Sequence, residues 1–107
     1  MVKTVFFGTP AFAVPTLERL LTSSHDVAGV VTQPDRPRGR GQRVSAPPVK
    51  VVAETHDLPV FQPERMTEPD FVAALERLKP DLGVVAAYGK FFPERLLNLP
   101  RLGMVNV

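Results

Sequence analysis

Cysteine and tryptophan are both absent from the 107 residues. Without cysteine there is neither a disulfide framework nor a thiolate metal ligand, and a reducing cytoplasm is the natural compartment. No apolar run approaches the roughly 20 residues that a membrane helix needs. Met1 to Gly8 also lacks the charged, long-apolar, small-residue layout of a signal peptide, so neither secretion nor membrane spanning is expected. His25 and His56 stand 31 residues apart with no carboxylate cluster beside either, which argues against a metal site. Gly8-Thr9-Pro10-Ala11-Phe12 offers one glycine where a dinucleotide fingerprint requires G-x-G-x-x-G, so a nicotinamide or flavin cofactor is disfavoured. Gly83 to Lys90 is not a phosphate loop either. Five residues separate Gly83 from Gly89, and Phe91 stands where a Ser or Thr must reach magnesium. No G-x-S-x-G elbow is present for serine chemistry.

What is present has an ordinary globular balance, 44% apolar against 22% charged, and at this length one domain is the ceiling. Proline, at 12 of 107, is about twice its average share and falls singly between apolar runs, where it punctuates structure. The net charge of +2 conceals a patch. Between Gln33 and Lys50 lie Arg36, Arg38, Arg40, Arg43 and Lys50 against a single Asp35, a local +4 that leaves −2 for the rest.

Read for elements, Val5-Phe6-Phe7 is a short strand closed by Gly8. Thr9-Pro10 then opens a helix over Ala11 to Thr22, with Thr9 as its cap and Phe12, Leu17, Leu20 and Leu21 on one side. Pro15 must sit in its first turn or bend it. Val27 to Val31 is a near-continuous apolar strand of the kind buried on both faces. Gln33 to Ala46, rich in Pro, Gly and Arg and without periodicity, reads as a loop. Pro47-Pro48 opens a second helix that ends near His56, and Leu58 to Phe61 is a third strand. Thr67 and Asp70 have capping-box spacing ahead of a helix over Glu68 to Leu78 that stops at Lys79-Pro80. Leu82 to Ala87 is a fourth strand, Pro93 to Leu97 a short helix and Met104 to Val107 the start of a fifth strand. Strands alternating with helices imply parallel βαβ units, hence a Rossmann-like, doubly wound α/β fold with helices on both faces of a mainly parallel sheet. Stopping inside an apolar strand reads as a fragment, and its uncovered strand is a route to self-association. A small complete domain with a terminal edge strand is the alternative.

Two loops leave carboxyl ends of strands, where ligands of open α/β sheets bind. In the first, Gln33 to Arg43, four arginines on a chain stiffened by Pro34 and Pro37 and loosened by Gly39 and Gly41 can present forked guanidinium groups to phosphates; a solvated flexible loop is the bland alternative. In the second, Ala87-Tyr88-Gly89-Lys90-Phe91-Phe92-Pro93, aromatics, a glycine and one cation could hold a flat heterocycle. Core packing of Phe91 and Phe92 competes with that reading.

Taken together, V-F-F-G-T-P at Val5 to Pro10, Phe12, the Thr32 to Lys50 stretch with Q-P-D-R-P-R-G-R-G and P-V-K, L-P-V-F-Q-P at Leu58 to Pro63, A-A-Y-G-K at Ala86 to Lys90 and P-R-L-G-M-V-N-V at Pro100 to Val107 resemble the methionyl-tRNA formyltransferase family. The resemblance spans the chain and implies a cytoplasmic enzyme of translation initiation. It passes a formyl group from 10-formyltetrahydrofolate, without a metal, to the amino group of methionyl initiator tRNA. It implies that residues 1–107 are the amino-terminal portion of the formyltransferase domain, with 33–46 as a basic insertion that enters the acceptor-stem groove. Arg40 would be the motif arginine, flanked by Arg36, Arg38 and Arg43. Tyr88, Gly89, Lys90, Phe91 and Phe92 would lie against the folate. Asn106 would be catalytic, an amide donor to the tetrahedral oxyanion. The family's His would stand just past Val107 and its Asp further on, so this chain alone is expected not to turn over. A formyltransferase acting on another small amine and a non-catalytic RNA-binding α/β module are the alternatives.

Overall fold

A computed structural model describes residues 2–38 and 43–107, and of Arg38 only the backbone. Among the described residues seven strands and four α-helices follow in chain order: β1 (Lys3–Gly8), α1 (Val14–Leu21), β2 (Asp26–Val31), β3 (Arg36–Arg38), β4 (Arg43–Ser45), α2 (Pro48–Thr55), β5 (Val60–Phe61), α3 (Pro69–Leu78), β6 (Leu82–Ala86), α4 (Glu94–Leu97) and β7 (Met104–Asn106). The main sheet has the order β5-β2-β1-β6-β7, and every neighbouring pair is parallel. The chain winds outward from β1 through β2 to β5, then returns to β6 on the other side of β1. The direction reverses between β1 and β6, and that reversal creates the crevice in a doubly wound sheet.

Strand alternation distributes the core. Val5, Phe7 and Val31 face one layer, where Phe71, Val72 and Leu75 of α3 and Leu96 of α4 cover them. Phe6, Val30 and Val84 face the other, covered by Leu17 of α1 and Val49 and Ala53 of α2. The predicted two-sided sheet is what forms. No helix among the described residues is long and apolar enough to cross a membrane.

Four local expectations are corrected. The stretch read as a structureless loop contains a small antiparallel sheet, β3 with β4, pairing Arg36 with Ser45, Pro37 with Val44 and Arg38 with Arg43; with three residues to a strand, a single apolar residue in each is too short a pattern to show alternation. Helix α1 begins after a 3-10 turn over Ala11–Ala13, with Pro15 in its first turn. That turn leaves Phe12 81% exposed instead of on the apolar side. Thr9 does not cap the helix: its hydroxyl crosses to the carbonyl of Tyr88. Thr67 and Asp70 form no capping box, since α3 begins at Pro69 after Glu68 without a side-chain cap, and Glu68 accepts instead from the Arg65 amide.

Candidate functional site

The carboxyl ends of β1, β2 and β6 are stitched together by polar groups that immediately follow buried strands. At Gly8 an added Cβ would lie 2.9 Å from the Ala86 carbonyl oxygen and 3.0 Å from the Ala13 methyl, so only glycine lets β1 and β6 approach as the turn leaves the sheet. The Thr9 hydroxyl donates to the Tyr88 carbonyl at 3.0 Å, and Gln33 Nε2 donates to the same oxygen at 3.2 Å. The Gln33 amide donates in turn to Thr9 Oγ1 at 3.4 Å. Gln33 Oε1 and Thr32 Oγ1 are buried without a partner among the described residues, polar atoms of the kind that folded chains rarely leave unmatched.

Segment 87–93 is bent sharply. Ala87 has φ 51° and Gly89 φ 97°, and a non-glycine residue held at positive φ stores strain of the sort found around binding sites. Tyr88 turns inward. It is 2% exposed, its ring meets Phe7 edge-on at 5.7 Å, and its hydroxyl donates to Met66 Sδ at 3.2 Å. Burial raises its hydroxyl pKa above the ordinary tyrosine value. Phe92 packs against Phe7 at 4.9 Å, whereas Phe91 is 98% exposed, so the two phenylalanines divide between core and solvent. The Lys90 ammonium donates to the carbonyls of Pro63 at 2.9 Å and of Glu64. It therefore ties segment 87–93 to residues 63 and 64, and its ammonium is engaged by those carbonyls.

Beside this segment lies a pocket of about 570 Å³ whose walls include Val85, Leu97, Met104, Phe91 and Phe92, with residues 87–90 and Asn106 completing it. That volume is within the range of small-molecule sites, and so is the mixture of apolar walls with a few polar groups. Asn106 is exposed at the end of β7, in register with Val85. Among the described residues no group of three or more His, Cys, Asp or Glu is arranged to hold a metal ion.

The hairpin rises from the end of β2. Arg36 and Arg43 are exposed, and Arg38 lies on the ladder; Arg40 falls outside the described residues. The base of the hairpin is held by Asp35, which accepts from Gln62 Nε2 at 2.7 Å and pairs with Lys50 Nζ at 3.2 Å. These bonds, Gln62 first, hold the Asp35 carboxyl below its ordinary value of 3.8. Lys50 therefore belongs to an ion pair and not to the free basic cluster. A smaller pocket of about 250 Å³, lined by Thr9, Pro10, Gln33, Pro34, Arg36 and Ser45 among others, separates hairpin from sheet. The ends of β2 and β7 are three strand spacings apart on one rim, about 14 Å, and the hairpin that carries Arg36 and Arg43 leaves the same edge at which Asn106 ends β7. Thr9, read from sequence as a helix cap, and Gln33, Asp35 and Gln62 are not among the site residues that the sequence assigns. The only available signal was a polar residue placed directly after a buried strand.

Residues 2–107 match the family described as "Formyl transferase". The chain is 53% identical over 103 residues to the methionyl-tRNA formyltransferase of Geobacter metallireducens, covering 96% of this chain and 33% of that protein. It is 50% identical over 105 residues to the enzyme of the same name from Alkaliphilus oremlandii, covering 98% and 34%. The chain thus spans about a third of the length of these relatives. Among solved structures, glycinamide ribonucleotide transformylase 1 from Symbiobacterium toebii superposes with a TM-score of 0.65 at 14% identity, over 99% of this chain and 50% of that one, a likeness of fold.

Proposed function

This chain belongs to the formyl transferase family, and from that membership we propose that it is the amino-terminal part of the catalytic domain of a methionyl-tRNA formyltransferase. In that role the domain takes the formyl group of 10-formyltetrahydrofolate and delivers it to the amino group of methionyl initiator tRNA, in the cytoplasm, at the start of translation. The observation that carries the reading is the joint presence, on one carboxyl rim, of a heterocycle-sized pocket and an arginine hairpin. A small amine acceptor would need only the pocket, and a plain RNA-binding module only the hairpin.

The pocket fits a folate ring in chemistry as well as size. Val85, Leu97 and Met104 supply apolar surface, Phe92 shapes the wall from the core side, and the bent 87–90 backbone supplies polar groups. On this reading Gly89 lets the backbone approach the ring, Tyr88 and Lys90 set the curvature of the segment from behind, and Phe91 is the exposed aromatic free to close over a bound ring. Asn106 is the catalytic residue: its amide N–H donates to the oxyanion that develops when the methionyl amine attacks the formyl carbon. One such donor is typically worth about 2.7–4 kcal/mol of barrier. Arg36, Arg38, Arg40 and Arg43 lie along the acceptor-stem phosphates and fix the register of the RNA, within the 33–46 insertion.

A segment exchange tests the proposal. Residues 1–107 are placed in the Geobacter metallireducens enzyme instead of the matching segment, and formylation of methionyl initiator tRNA is measured. Retained turnover is expected. A folded exchange protein that formylates a small amine but not the charged tRNA would return the small-amine reading, and one that binds RNA without any formyl transfer would favour the binding module.

A further inference from the structure

A carboxylate beside four arginines that are to meet phosphates is an electrostatic liability, and Asp35 is such a group. Its surroundings give it another use. Strands β3 and β4 pair with each other and with no strand of the main sheet, so the orientation of the hairpin depends on how its base is tied down. Gln62, at the end of β5, donates through one nitrogen both to the Gln33 carbonyl at 3.1 Å and to Asp35 Oδ1 at 2.7 Å. Lys50, in the first turn of α2, places its ammonium at 3.2 Å from both Asp35 oxygens, and its side chain is only 19% exposed. Two separate elements of the body thus grip the residue just ahead of Arg36. Resting on the reading that the hairpin contacts RNA phosphates, we propose that Asp35 is a positioning residue for that contact, mooring the hairpin through Gln62 and Lys50 and withdrawing Lys50 from the phosphate-binding set.

The proposal has a sign that simple charge counting does not. Replacing Asp35 by Asn makes the patch more positive by one, so charge alone would tighten RNA binding. Mooring requires that it weaken. Likewise, a phosphate-bound Lys50 would carry its share of the salt dependence, about 0.9 in the log-log slope per contact, and a withdrawn one would not.

The test titrates the 107-residue chain against a fluorescent acceptor-stem hairpin of initiator tRNA by anisotropy, over a salt series. Asp35→Asn is expected to weaken binding about fivefold, the factor equivalent to the upper end of an exposed ion pair, and Lys50→Met to weaken it with the slope unchanged. Arg36→Ala and Arg43→Ala should each flatten the slope by about 0.9. Asp35→Glu keeps the charge but not the reach, so it should lose affinity as well; thermal unfolding confirms that each variant is folded. Tighter binding by folded Asp35→Asn, full affinity in Asp35→Glu, or a flatter slope for Lys50→Met would each overturn the proposal. Slopes that no arginine variant changes would overturn the RNA reading beneath it.

Discussion

Two segments leave the same edge of the sheet and are built on opposite plans. Segment 87–93 is held by the core: Tyr88 is buried, Phe92 meets Phe7 edge-on, Lys90 caps two neighbouring carbonyls, and Ala87 and Gly89 adopt left-handed backbone that the packing enforces. The hairpin of β3 and β4 is held by its ladder and by the hydrogen bonds at Asp35 and Gln33, with Val44 65% exposed at its centre. The difference matches what each must meet. A flat ring of fixed shape is best served by a surface that does not move, because disorder there would be lost on binding. A phosphate backbone is met by long cationic side chains whose reach tolerates adjustment, and a few polar tethers suffice to aim them.

The largest effect that would sharpen this contrast is on stability. Tyr88→Ala removes a fully buried aromatic and should cost about 3–5 kcal/mol in urea unfolding, whereas Arg43→Ala should stay within about 0.5 kcal/mol. Equal losses would erase the distinction. Gly89→Ala places a Cβ at φ 97° and 3.0 Å from Gln33 Nε2, so it should cost about 1–2 kcal/mol and weaken binding of a stable formylated folate measured by calorimetry. Unchanged folate affinity would separate segment 87–93 from the donor site. Arg43→Ala should instead leave folate binding alone and reduce only the salt dependence of RNA binding, by about one contact; an effect on folate would mean that the two segments do not work separately. The smallest effect is on pH. Asp81 is held below its ordinary value of 3.8 by the Lys3 amide, then by Arg101. A depressed carboxylate stabilises the fold above its unfolded pKa, and that contribution is lost as pH falls through the folded one. Asp81→Asn should therefore lower stability slightly at neutral pH and make the acid limb shallower, with parent and variant converging at acid pH. An acid limb identical to the parent's would assign the effect to other carboxylates.

The two segments also differ in how well they could be read in advance. The apolar runs at Val5 to Phe7, Val27 to Val31 and Leu82 to Ala87 announced buried parallel strands because sheets covered on both faces need continuous hydrophobic residues, and all three form, the last ending at Ala86. The hairpin escaped because Arg36-Pro37-Arg38 and Arg43-Val44-Ser45 are three residues each, and their one apolar pair, Pro37 with Val44, stays exposed and faces no core. Phe12 misled for the reverse reason: helical spacing assigned it to the core, but a 3-10 turn rotated it outward to 81% exposure. Lys90 looked like a cation for a ligand, and only the positions of Pro63 and Glu64, far off in sequence, show where its ammonium goes.

Local order in the chain determined the alternation of strands and helices, the two-sided core and the clustering of arginine after the second strand, since each depends on spacing among near neighbours. Only the tertiary structure decided which polar side chains meet: Thr9 and Gln33 at the Tyr88 carbonyl, Gln62 and Lys50 at Asp35. Those partners are brought together by the order of strands in the sheet, and hydrogen bonds between residues separated by dozens of positions leave no periodic trace along the chain.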